Sequence, residues 1–185
     1  FSIAQKLDKL GMRGSHTGEL VFQNVEVPAE NILGGLNNGA KVLMSGLDYE
    51  RAVLAAGPIG IMQSVMDNVV PYIHDRKQFG QAVADFQNTQ FVMADLKARS
   101  TAARVFVNDC IARHLKGELD VATACMAKYW VTELQGEVVD KCLQFHGGAG
   151  FINDYPIARM YRDSRITRIF GGSNEVMKMV IARGM

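Results

Sequence analysis

Three long tracts of helix-spaced apolar residues, each bounded by its own cap or breaker, restrict this chain to a helical bundle. The first opens at Asn37-Asn38-Gly39 and runs to near Arg76, with Leu43, Leu47, Leu54, Ile61 and Val65 recurring at helical spacing. Pro58 lies inside it and is expected to kink or interrupt the helix, since proline lacks an N–H and its ring collides with the preceding turn. The second tract has Asp85 as its expected cap and Met93, Leu96, Ala103, Val107 and Cys110 as its stripe, and it stops at Lys116-Gly117. Asp120 caps the third, whose apolar face is Val121, Val131, Leu134, Val138, Cys142 and Phe145 and whose stop is Gly147-Gly148. A shorter segment over 157–168 and a last helix capped by Ser173 complete the pattern. Helices of this number, joined by modest loops, pack as an antiparallel four-helix-type bundle, so residues 36–185 read as a mainly α domain.

Residues 1–35 have a different texture. The stretch 19–27 partly alternates, is β-branched and meets Pro28, which reads as a strand; Gly11-Met12-Arg13-Gly14-Ser15 before it reads as a turn. One or two strands do not make a stable sheet, so this segment reads as the tail of a β domain whose other strands lie elsewhere. The first residues hold neither an initiator methionine nor the apolar core of a signal peptide, which reads as a piece of a longer protein.

The formal charge of +1 gives no footing for nucleic acid or an anionic membrane surface. No window of eighteen uninterrupted apolar residues marks a membrane span. The three cysteines, Cys110, Cys125 and Cys142, have no metal-site spacing and read as buried free thiols of a reducing compartment, and no metal site is expected.

One residue does not fit its face. Glu50 sits between Leu47 and Leu54 at spacings of three and four, and so is expected to point into the apolar side of the first helix. A carboxylate desolvated there should have a raised pKa, as a general base working near neutral pH requires; an internal ion pair or a rim position in water are the other readings. Arg51, on a different face, is expected to meet an anion or polar group at a pocket mouth.

The glycine-rich segments divide into two kinds. Gly147-Gly148-Ala149-Gly150 closes a helix, so it is a C-cap or a place of close backbone approach to a ligand. Gly171-Gly172-Ser173-Asn174-Glu175 leads into a helix N-terminus, whose free N–H groups can take a phosphate or a polar ring edge. Arg76-Lys77-Gln78-Phe79-Gly80 is either a solvated loop or a grip on a pyrophosphate.

Four segments together resemble the acyl-CoA dehydrogenase family: Arg76-Lys77-Gln78-Phe79-Gly80 with Gln87, Gln144-Phe145-His146-Gly147-Gly148-Ala149-Gly150, Tyr161-Arg162-Asp163, and Ile169-Phe170-Gly171-Gly172-Ser173-Asn174-Glu175. Gly11-Met12-Arg13-Gly14-Ser15 and 27–34 resemble the last strands of that family's β domain. The resemblance implies an FAD enzyme in which a glutamate removes the α-proton of an acyl-CoA and the β-carbon gives a hydride to the flavin, leaving the 2-enoyl-CoA. It implies electron-transferring flavoprotein as the redox partner, a homotetramer, and bacterial cytoplasm or mitochondrial matrix as the compartment. It further implies that Arg76, Gln78, Phe79, Gln87, Gln144, Gly147 and Gly148 reach the FAD of a neighbouring subunit. Ser173 and Glu175 would meet the flavin, and Arg51, Phe170, Gly171 and Arg183 would line the acyl-CoA site.

Most members of that family carry the base immediately before the glycine of the last motif, where this chain has Gly171. Isovaleryl-CoA and long-chain enzymes place it on the helix occupied here by Leu47-Asp48-Tyr49-Glu50-Arg51, which agrees with the choice of Glu50 from the apolar pattern. The segments 43–51 and 55–60 resemble the isovaleryl subgroup, whereas Phe170 resembles straight- or long-chain enzymes, so a short branched substrate and a long- or medium-chain one both remain open. The rivals are an acyl-CoA oxidase, marked by peroxide, and a non-catalytic helical assembly module, marked by absence of a flavin spectrum.

Overall fold

The computed structural model describes residues 1–185 apart from the side chain of Asp48, which lies in the segment carrying Glu50. The elements, in order, are strands β1 (Ser2–Lys6) and β2 (Gly18–Val21), helices α1 (Gly39–Ser45) and α2 (Leu47–Asp75), strands β3 (Lys77–Gln78) and β4 (Gln81–Ala82), then α3 (Gln87–Leu115), α4 (Val121–His146), α5 (Pro156–Ser164) and α6 (Asn174–Arg183). This is the helical bundle with a short β segment ahead of it that the periodicity implies.

Helix α4 is the central member, packed on α2, α3, α5 and α6. That position explains its composition: Ala124, Ala127, Val131, Leu134, Val138 and Cys142 are all essentially solvent-free. Each fully buried Val or Leu of this kind contributes about 1.5–3 kcal/mol. The helix starts where Asp120 accepts from the Thr123 backbone N–H at 2.8 Å and from the Thr123 hydroxyl at 2.6 Å, bonds that hold its carboxyl below the usual range. It ends at Gly147, whose φ of +58° a side chain would resist. Of its expected apolar face, Val121 is exposed and Phe145 half-buried.

Several expectations change in three dimensions. The first tract is two helices broken at Gly46, and Pro58 and Pro71 both lie within one continuous 29-residue α2. Packing on α3 and α4 sustains the helix through both prolines. The core stripe of α2 is Ala52, Ala55, Ile59, Met62, Val65, Met66, Val69 and Ile73; of the residues read as the face of the whole first tract, only Val65 is buried, and Leu43, on α1, is open to solvent. Asp85 does not cap α3; it lies in a 3-10 turn over Val83–Asp85, and Phe86 takes the cap position with no side-chain bond. Over Tyr49–Asp75 α2 is long and apolar enough to cross a bilayer. Its core stripe is instead taken up by the bundle, while Gln63, Asp67 and Asn68 face solvent.

The strand read over 19–27 is shorter, stopping at Val21, and Asn24 has a φ of +46° that ends the extended run. β2 pairs antiparallel with β1, with Ser2 opposite Val21. Asp163 of the Tyr161-Arg162-Asp163 segment accepts from the Met12 backbone N–H at 2.6 Å. A Cβ on Gly11 would stand 2.5 Å from the Arg162 carbonyl oxygen, so glycine is what lets the turn approach α5.

Candidate functional site

Most of the expected site residues fall into two groups on the bundle, with Gln87 and Arg183 outside them. The first gathers around an open groove of about 460 Å³ whose lining includes Arg76, Gln78, Gln144, Gly147 and Gly148. Segments far apart in sequence thus share one depression. Its floor is set by Tyr72, whose ring stacks on His146 at 4.1 Å and whose hydroxyl donates to the His146 carbonyl at 3.2 Å. His146 Nδ1 lies 2.9 Å from the Cys142 carbonyl; a carbonyl only accepts, so Nδ1 carries the proton. With its amide oxygen turned to Arg76, Gln78 accepts from the guanidinium at 3.0 and 3.2 Å.

Arg76-Lys77-Gln78-Phe79-Gly80 is not a plain loop. Lys77 pairs with Ala82 and Gln78 with Gln81, making a minimal hairpin with Phe79-Gly80 at its tip. Both tip residues have positive φ, +52° and +84°, the pattern of a two-residue hairpin turn that usually takes Asn-Gly. The Phe79 ring is 95% exposed. Gln87, in the first turn of α3, is exposed and does not line the groove.

The second group forms where the N-terminal turn of α2 meets the loop before α6. A Cβ built on Gly171 would stand 3.5 Å from Glu50 Oε1 and only 2.2 Å from Leu54 Cδ1. Residue 171 also has a φ of +65°, so backbone conformation and space both demand glycine. Glu50 itself is exposed, which corrects the expectation of burial. The core stripe of α2 runs through Ala52 and Ala55, and Glu50 lies beside it, over the loop. Arg51 is the buried neighbour at 6% exposure, which corrects its placement at a pocket mouth. Tyr49 fixes this end of α2 by a ring contact with His114 of α3 at 5.3 Å.

Ser173 caps α6 by accepting from the Val176 N–H at 3.4 Å. Bonds from its own backbone N–H and from the Ser173 hydroxyl hold the exposed Glu175 carboxyl below the usual range. Phe170 is partly exposed beside Gly171. Arg183 stands at the other end of α6, about 12 Å from Glu175 at 1.5 Å rise per residue, apart from the Glu50 group.

Sequence reasoning missed Leu54 as the residue that fills the space beside Gly171, and it missed Lys128. That lysine is fully buried on α4 and donates to the Gly172 carbonyl and to Asn174 Oδ1, both at 2.8 Å. Its signal was available, because it lies four residues from Ala124 and three from Val131 on the apolar face. The cysteines are buried, and burial pushes the Cys142 thiol up to about 12, which removes thiolate chemistry at neutral pH.

Comparison with known proteins decides the family. The family "Acyl-CoA dehydrogenase, C-terminal domain" matches residues 37–185. The chain belongs to the acyl-CoA dehydrogenase family. Among relatives of this acyl-CoA dehydrogenase chain, the mitochondrial isovaleryl-CoA dehydrogenase of Bos taurus is 46% identical over 99% of the chain and 43% of its own length. The mitochondrial long-chain specific acyl-CoA dehydrogenase of Rattus norvegicus is 42% identical over the same shares. The crystal structure of an acyl-CoA dehydrogenase from Geobacillus kaustophilus superposes with a TM-score of 0.96 at 37% identity, covering 99% of this chain and 48% of that one. The chain therefore spans less than half the length of the relatives it matches.

The donor set suits a dinucleotide cofactor of the FAD kind. A guanidinium, two carboxamides and an open glycine backbone border the first groove, the donors that a pyrophosphate takes. Nothing within 4 Å would meet a Cβ at Gly147 or Gly148, so the backbone there is open to a ligand.

Proposed function

We propose that the complete protein dehydrogenates an acyl-CoA thioester to the 2-enoyl-CoA, with Glu50 as the base. The observation that carries this reading is the approach of the Glu50 carboxylate to Gly171. Most members of the family, by the resemblance of the last motif, hold their glutamate at the position of Gly171, whereas the isovaleryl-CoA and long-chain enzymes hold it on the helix that carries Glu50. Here a carboxylate reaches the same point from α2, and the glycine leaves room for it.

The α C–H bond breaks and its proton goes to the Glu50 carboxylate, while electron density moves toward the β-carbon. The β C–H bond breaks as well, the pair left at the α-carbon closes the double bond, and FAD, when bound, would supply the acceptor for the departing hydride. Glu50 lies in the first turns of α2, where its backbone N–H bonds to the Gly46 carbonyl at 3.0 Å, so the base is carried on a rigid element. Because Glu50 is exposed on this chain, its desolvation comes from bound substrate and from the rest of the protein. The 1–35 segment is read as the end of a β domain that covers the flavin. Arg76, Gln78, Phe79, Gln87, Gln144, Gly147 and Gly148 would hold an FAD shared with a neighbouring subunit, which requires an oligomer, read as a homotetramer. Ser173 and Glu175 would face the flavin, with Phe170, Gly171 and Arg183 toward the acyl-CoA; Arg51, buried in the bundle, would back that site from behind instead of lining its mouth. Electron-transferring flavoprotein is the expected acceptor, in the bacterial cytoplasm or the mitochondrial matrix.

A short branched acyl chain, isovaleryl-CoA or a close analogue, is the preferred substrate. The isovaleryl-CoA dehydrogenases among the relatives support it; Phe170 favours longer straight chains. The test is anaerobic mixing of the full-length protein and its Glu50→Gln variant with isovaleryl-CoA and with a long straight-chain acyl-CoA. Loss of the oxidised flavin band should slow by about 10³-fold in the variant, within the span of general-base contributions. Equal bleaching rates would remove Glu50 from the mechanism, and the faster substrate decides the acyl preference.

A further inference from the structure

The loop that faces Glu50 is held from inside the bundle by groups that the reaction itself does not use. Lys128 Nζ donates to the Gly172 carbonyl and to Asn174 Oδ1, each at 2.8 Å. The Asn174 amide then donates to Glu133 Oε1 at 2.8 Å and to Thr132 Oγ1 at 3.0 Å. Glu133 meets Arg168 at 3.4 Å, just before the loop begins. Lys128, Thr132 and Glu133 lie on one stretch of α4, so the loop over 169–173 is gripped from α4 at both of its ends. Asn174 is 1% exposed and Lys128 is not exposed at all.

A fully buried amine is an expensive way to fill a helix interface that a methionine would fill. Burial pushes the Lys128 ammonium down, with Glu133 and Glu175 opposing. What the amine gains is a fixed Gly172 carbonyl, one residue from the backbone that meets Glu50 and Leu54. Gly172 also has a φ of +92°, and a Cβ there would stand 2.7 Å from the Met177 methyl. Two consecutive left-handed residues have many alternative conformations, and a donor from below selects one of them.

We propose that Lys128 is a positioning residue, which through Gly172 and Asn174 locks the 169–173 loop so that Gly171 stays against the Glu50 carboxylate. This rests on Glu50 as the base. The loop sets the distance between base and substrate, and small misplacements at that distance slow a reaction strongly.

The test uses the full-length protein and Lys128→Met, which keeps the length of the side chain and removes the donor. Hydrogen exchange at amides 171–176 should rise about tenfold, while the buried parts of α2 and α3 keep wild-type protection. Anaerobic flavin bleaching should keep its amplitude and lose about tenfold in rate constant. A purely structural lesion acts otherwise, raising exchange throughout the bundle or lowering amplitude at an unchanged rate; either result overturns the proposal, as does wild-type exchange in the loop. Should Lys128→Met fail to fold, Asn174→Ala is read the same way, with a smaller slowing expected and an unchanged rate constant decisive against. The outcomes separate from those for the base: if Glu50→Gln stops bleaching and Lys128→Met does not slow it, only the positioning role falls.

Discussion

Gly171 and Phe79 share a backbone conformation and differ in every other respect. Both have left-handed φ, +65° and +52°. At 171 the conformation is met by glycine, and Leu54 and Glu50 close over the place where a side chain would be. At 79 the same region is occupied by phenylalanine at the tip of a hairpin, with its ring 95% in solvent. A backbone that bears a bulky residue in this region stores about 1–2 kcal/mol of strain. Burial does little to offset it, since Phe79 is 95% exposed and among the described residues its ring contact is with Phe86, edge-on with centroids 6.5 Å apart. The difference separates a residue that the packing of the bundle demands from one that it does not. Gly171 is what the local packing demands, whereas Phe79 opposes local preference and carries its side chain out into solvent.

That contrast can be broken by substitution. The largest effect is expected at Gly171→Ala, where left-handed strain and overpacking against Leu54 add to about 3 kcal/mol of lost stability. Thermal melting checks it, and Leu54→Ala in the same chain should recover part of the loss, since the clash is between those two residues. No loss of stability would mean that the loop yields freely and that glycine is not required there.

A smaller effect, away from both positions, calibrates what a side-chain pair on the bundle contributes. Glu137 accepts from both terminal nitrogens of the Arg99 guanidinium, one at 2.8 Å, and Lys141 adds an ion pair at 2.8 Å. Arg99 first, then Lys141, hold the Glu137 carboxyl down to about 2 from its usual 4.5. A carboxyl depressed on folding contributes stability above its unfolded pKa and loses it as pH falls through the folded value. Stability from the Glu137 carboxyl should therefore decline between about pH 4.5 and 2, and that decline should shrink in Arg99→Ala to the part that Lys141 still supplies. Discounted for its one-third exposure to solvent, the contribution is about 1 kcal/mol, measured by denaturant unfolding at stepped pH. A flat acid limb in wild type would show that the pair is screened.

The smallest change in stability, and opposite in sign, is expected at Phe79→Asn. Asparagine accepts the left-handed region and suits a two-residue hairpin, so the bundle should gain about 0.5 kcal/mol. The full-length protein should at the same time hold its flavin less tightly, followed by release of the chromophore on dilution. A variant that is both more stable and equally tight for flavin would leave Phe79 without the flavin contact proposed for it.

The helices were legible because periodicity and caps are local signals. Asp120, Ser173 and Gly147 act where their types and positions place them, and Leu96, Ala103, Val107 and Cys110 form the buried stripe of α3. Legibility failed where a partner decided the outcome. The true face of α2 is set by what α3 and α4 present to it, so small Ala52 and Ala55 are buried while Leu54 and Ile61 are only partly so. The hairpin at 77–82 escaped notice because its turn carries Phe where an Asn would have signalled it.

By itself the sequence determined a helical bundle with a β segment ahead of it, since spacing, caps and residue type are properties of the chain. The tertiary structure alone decided that Glu50 lies over Gly171 instead of inside the apolar stripe, that Arg51 is the buried neighbour, and that Lys128 reaches Gly172 from α4. The physical reason is that periodicity fixes which residues share a face, whereas burial and contact depend on which other helix arrives at that face and how closely glycine lets it come.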